Sequence, residues 1–99
     1  MSLLQLTLVA PRHLEEELVE QFLAHPDWAA GFTLQETEGH GQGKLTPREQ
    51  VRGRTHRISV QIVLEETAAR ALLAHLKACF PKPDVAWWLT PVIEFGRLA

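Results

Sequence analysis

Gly39, Gly41 and Gly43 stand at alternate positions in the run Gly39-His40-Gly41-Gln42-Gly43. Glycine lets a backbone take positive φ and lets successive N–H groups close on an anion. A few residues on, Arg52-Gly53-Arg54 and Arg57 supply guanidinium forks that match the oxygens of a phosphate or carboxylate. Between Lys44 and Arg57 five basic residues stand against Glu49 alone, a local balance of +4 in a chain of net charge −2. The rest of the chain therefore carries −6. Anion binding by a loop is the chemistry these residues could do. A solvated hairpin whose arginines pair with Glu36 or Glu38 fits the same residues, and charge alone leaves both open. The run is neither a Walker A loop nor a dinucleotide fingerprint, because no Gly-Lys-Ser/Thr follows and no helix opens directly after it.

Histidine is the other candidate. His13, His25, His40, His56 and His75 show no metal-ligand spacing, and Cys79 stands alone. His40 is set apart by its flanking glycines. It is the candidate contact for a transition-metal ion, with its own copies in an oligomer, Glu38 or His56 as partners. Cys79, late in a helix beside Phe80, is expected to be buried packing, with no basic neighbour to activate it. No motif arranges a nucleophile, a base and an orienting acid, so the expectation is a protein that is not an enzyme.

The elements that must position these residues read in order along the chain. Leu3 to Val9 alternates as a strand, with Leu4, Leu6 and Leu8 on one face. Pro11 suits a first helical turn, and Glu15, Glu16 and Glu17 follow near the positive end of the helix dipole. Leu14, Leu18, Val19, Phe22 and Leu23 recur at helical spacing, and His25-Pro26 ends the helix. Gly31 opens a second strand with Phe32 and Leu34 inward and Thr33, Gln35 and Thr37 outward. The segment 39–53 follows as a flexible loop, with Thr46 to Glu49 able to form a capped turn. Ile58, Val60, Ile62 and Leu64 mark a third strand. A second helix, capped near Thr67, turns Ala69, Leu72, Leu73, Leu76 and Phe80 inward. The turn Lys82-Pro83-Asp84 leads to a last strand, Val85 to Val92, on which Trp87 and Trp88 face opposite ways and Pro91 points to an edge position. Ile93 to Ala99 is a short tail.

The order βαββαβ predicts an α+β, ferredoxin-like domain: a four-stranded antiparallel sheet with two helices on one face, formed by residues 1–99 as one unit. The other face, with Gln5, Thr7, Val9, Thr33, Gln35, Ser59, Gln61, Val63 and one tryptophan, is too apolar for open surface and too polar for a sealed core. Packing of copies in a closed homo-oligomer is expected. Its 45% apolar and 22% charged residues are those of a globular domain. No apolar run nears the roughly 20 residues that span a bilayer. The first residues lack the basic leader of a signal peptide, and the single cysteine suits a reducing cytoplasm. An aromatic content of 7% and a negative net charge argue against nucleic acid as a partner.

Gly31-Phe32-Thr33 and Gly39-His40-Gly41 resemble the pattern that precedes the T-loop in the PII signal-transduction superfamily. The fuller set adds Glu49-Gln50-Val51, Gly53-Arg54, Arg57 and Trp87-Trp88-x-x-Pro91-Val92. It more closely resembles an uncharacterised PII-like family of about this length, associated with heavy-metal efflux genes, and covers nearly the whole chain. The resemblance implies a homotrimer of ferredoxin-like subunits, similar in fold to CutA. Small effectors such as adenine nucleotides would bind at subunit clefts, and the T-loop would touch a partner such as a membrane transporter or efflux pump. Carried over, Gly41 would sit at the base of the T-loop and Thr33 near a nucleotide site; together with the donors read above, the expected ligand-binding residues are Thr33, Gly39, Gly41, Gln42, Arg52, Arg54 and Arg57. This sequence departs from the PII pattern at Gly43, where PII has glutamine. It departs again at the Lys82–Asp84 turn, which lacks PII's glycine and basic phosphate contacts.

Overall fold

The computed structural model describes residues 2–27, 31–39 and 55–98. Strand β1 (Leu3–Pro11) leads through a 3-10 turn (Arg12–Leu14) into helix α1 (Glu15–Leu23). Strands β2 (Thr33–Gly39) and β3 (Thr55–Glu65) follow, then helix α2 (Glu66–Cys79) and strand β4 (Ala86–Val92). All strand pairs are antiparallel and the sheet order is β2-β3-β1-β4. This is the ferredoxin-like arrangement that the order of elements predicts.

Alternation along the two central strands builds the core. Leu4, Leu6, Leu8 and Ala10 of β1 lie opposite Leu64, Ile62, Val60 and Ile58 of β3. Most of these side chains are buried, in one cluster with Leu14, Leu18 and Phe22 from the first helical segment and Ala69, Leu72, Leu73 and Leu76 from α2. Both helices therefore lie on the same face of the sheet. Phe32 extends the cluster at the β2 end, meeting Phe22 edge to face with ring centres 5.1 Å apart. On the opposite face, Thr7 and Ser59 are buried beneath their strand neighbours, while Gln5, Val9, Gln61 and Val63 are half-buried. The Gln5 amide donates to the Thr7 hydroxyl at 3.4 Å.

Helix termini show how local chemistry fixes the boundaries. Glu15, Glu16 and Glu17 fill the first turn of α1, where carboxylates meet the positive end of the dipole. Pro11 belongs to β1 rather than to the helix. It ends the strand opposite Arg57, two residues beyond the last β1–β4 pair, a strand-end position that tolerates proline. Helix α2 begins without the Thr67 cap: β3 runs straight into it through extended Glu65, and the Glu66 N–H donates to the Ser2 carbonyl at 3.0 Å. A backbone carbonyl thus does what a capping side chain would do.

Two apolar assignments need correction. Leu23 is 67% exposed. Five residues on from Leu18, at about 100° per residue, it comes round to about 140° away from the buried stripe. Cys79 is exposed rather than buried. At the last turn of α2 it falls on the flank of the stripe, while Phe80 falls near its centre and closes the core. Trp87 and Trp88 face opposite ways, opposite Leu8 and Thr7, on an edge strand that also carries Pro91.

Phe22→Ala is expected to cost about 3–5 kcal/mol and Leu23→Ala less than about 0.5 kcal/mol, read from urea unfolding at fixed protein concentration. In the native protein, Cys79 is expected to react with a chromogenic disulfide reagent without denaturant, at a rate close to that in urea.

Candidate functional site

β2 and β3 stay paired to Gly39 and Thr55, and these paired ends form a stem. Thr37 faces Arg57, Glu38 faces His56 and Gly39 faces Thr55. β3 runs 11 residues, longer than any other strand among the described residues. The same alternation that buries Ile58 and Val60 turns His56 toward the helix side and Arg57 toward the opposite face.

A cleft of about 430 Å³ lies at this stem, lined by Arg12, Glu36, Thr37, Glu38, His56 and Arg57. Arg12 reaches it from the 3-10 turn after β1, and its guanidinium donates to the Glu36 carboxylate at 2.8 Å. Both side chains are well over half exposed, so water screens the pair. Two guanidiniums, two carboxylates and one imidazole give the cleft mixed charge. Such a lining suits a ligand that carries both signs.

Of the residues expected to bind a ligand, Arg57 lies in this cleft. Thr33 does not. It sits opposite Gln61, four residues from the Thr37–Arg57 pair and roughly 13 Å away along the strand. Gly39 ends β2. His40, Gly41, Gln42, Arg52 and Arg54, with the turn expected at Thr46–Glu49, lie outside the described residues. Arg12 is the residue the sequence reading missed. Glu36, which the sequence left open as a partner for the arginines of residues 52–57, pairs with Arg12. Proline at position 11 was the available signal, since it ends the strand and turns the next residue toward the β2 edge. Among the described residues no group of three or more His, Cys, Asp or Glu side chains could hold a metal ion. Among them, too, no helix is long and apolar enough to cross a membrane.

This fold is that of the PII-like signalling proteins. A putative PII-like signalling protein from Thermus thermophilus is 28% identical and aligns with a TM-score of 0.65, covering 93% of this chain and 88% of that one. CPII, a nitrogen regulatory PII-like protein from Thiomonas intermedia solved with ADP, AMP and bicarbonate, is 16% identical with a TM-score of 0.67, covering 98% and 96%. A DUF3240 family protein from Shewanella baltica is 18% identical with a TM-score of 0.78, covering 100% and 99%. The chain belongs to that last family, described as "Protein of unknown function (DUF3240)", whose profile matches residues 1–99. The resemblance carried by the glycine and tryptophan motifs is thus borne out at the level of family and fold. No curated protein matches.

The Arg12–Glu36 pair is expected to show a coupling below about 1 kcal/mol in a double-mutant cycle of Arg12→Ala and Glu36→Ala, shrinking further at high salt. A coupling of several kcal/mol, unchanged by salt, would contradict the exposed geometry.

Proposed function

We propose that the protein is a PII-like regulator that binds a small anionic effector, an adenine nucleotide, at clefts between the subunits of a homotrimer. Binding orders the 39–53 segment, which then presents a different surface to a partner protein such as a membrane transporter. The observation that carries the reading is the β2–β3 stem. It brings Arg57 to the mouth of a glycine- and arginine-rich segment in a chain 28% identical to a PII-like signalling protein. In this reading Arg52, Arg54 and Arg57 take the phosphates, and the N–H groups from Gly39 to Gln42 add backbone donors. Thr33 contributes from its own strand toward the neighbouring subunit. That ADP and AMP were found on CPII supports the choice of ligand.

Metal sensing through His40 is the second reading, and one feature favours it. Glu38 and His56 face each other one step below position 40, so an oxygen and a nitrogen ligand already stand at the stem.

The two are separated by a thermal-shift and calorimetric titration of purified protein with ADP, AMP and ATP, and with Cu²⁺ and Zn²⁺. Under the nucleotide reading, ligand at 100 times its dissociation constant adds about 2.7 kcal/mol. Arg54→Ala weakens binding about tenfold or more, and His40→Ala leaves it unchanged. Metal sensing gives the opposite pattern of variants. Light scattering is expected to give three times the mass of the 99-residue chain. A monomer at micromolar concentration would sink the shared-cleft mechanism.

A further inference from the structure

Between the last turn of α2 and the start of β4 lies a second cleft, of about 320 Å³, with Leu76, Phe80, Val85 and Trp87 in its walls. It opens at the β4 side of the sheet, and none of the stem residues lines it. Its volume is at the small end of the range that takes metabolite-sized ligands. Its lining is mostly apolar, and it includes two lysines, each with its ammonium over an aromatic ring. Lys77 Nζ lies 4.9 Å from the centre of the Trp87 ring, and Lys82 Nζ lies 5.8 Å from that of Phe80. Among the described residues neither lysine has a carboxylate within ion-pair distance. The turn that carries Lys82 is held by the Val85 N–H, which donates to the Lys82 carbonyl at 3.1 Å.

An ammonium resting on a ring face keeps N–H donors directed away from the ring. A ligand that fills the cleft also expels water, which strengthens any charge contact at its rim. We infer that this cleft binds a small amphipathic anion, an apolar body bearing one carboxylate. The body lies against Leu76, Val85 and Trp87, and the carboxylate sits between Lys77 and Lys82. A purine suits it less well, because ring nitrogens set against aliphatic and aromatic carbon would lose their hydrogen bonds to water. The site is separate from the loop stem and does not depend on the function proposed for it.

The test uses naphthalene-1-acetate and its uncharged analogue naphthalene-1-acetamide, titrated calorimetrically into the full-length protein. The acid is expected to bind about tenfold tighter than the amide, the size of effect a charge-assisted contact gives. The double variant Lys77→Gln, Lys82→Gln should lose that preference while keeping its melting temperature, since both lysines are exposed. No binding of the acid at millimolar concentration overturns the inference. So does equal binding of acid and amide, or a preference that survives the double variant. A drop in oligomer mass in the double variant, with no response to the acid, would instead make the cleft a contact between copies. Titration of ADP into the unmutated protein tells the two sites apart: nucleotide binding there while the acid fails to bind overturns this inference alone.

Discussion

Because β1 and β3 pair at the centre of the sheet, with Leu6 opposite Ile62 and Leu8 opposite Val60, every other element takes its position from that register. Slipping it by one residue would turn the apolar set of one strand toward the polar face and leave both helices without a floor. The β2–β3 stem, Thr37 to Gly39 against Thr55 to Arg57, continues the same strand β3. Whether a stem residue faces the helices or the opposite side was settled by the burial of Ile58 and Val60, residues with no part in binding. Core packing and site chemistry are therefore coupled through one strand's alternation.

That coupling explains which parts of the molecule were legible in the sequence. A period of two in β1 and β3 and a period near 3.6 in α2 are strong signals, since each strand or helix has one apolar face to bury. The topology, the inward leucines and the opposed tryptophans could all be read from them. Errors gathered where periodicity ends. Leu23 and Cys79 sit at the last positions of their helices, where the helical angle carries them off the buried stripe. Pro11 and Thr67 were assigned by local propensity, but tertiary pairing took precedence. β1 continues as far as Arg57 allows, and Ser2 supplies the acceptor that a capping threonine would have offered.

The site was legible only as a set of residue types. Glycines and arginines in an aperiodic stretch say that an anion could be bound, because donors are abundant and the backbone is free. They do not say which donors converge, since no repeat fixes their spacing in three dimensions. Arg12 shows the same limit from the other side. It lies 24 residues before Glu36 in sequence, and the two meet because the sheet sets the end of β1 near the outer strand. The second cleft has a similar origin. Lys77 and Lys82 read as ordinary surface charges along the chain, and only the turn from α2 into β4 brings both to the edge of one apolar hollow.

The sheet also constrains how copies of the chain can meet. Its two edges are blunted. β2 carries Glu36 and Glu38, and β4 carries Pro91, which removes a donor from the ladder. Charge and proline on outer strands are the usual devices against edge-to-edge addition. The face away from the helices has no such protection. Val9 and Val63 are half-buried there, Trp88 is 46% exposed, and Thr7 and Ser59 are already closed off from water. Past β4, Ile93, Phe95 and Leu98 are exposed as well. Besides Leu23 on α1 and Trp87 on the helix side, the apolar area still open to a neighbour lies on that face and in the tail, while the edges resist extension. A closed trimer of the kind proposed above would bury that face against its own copies.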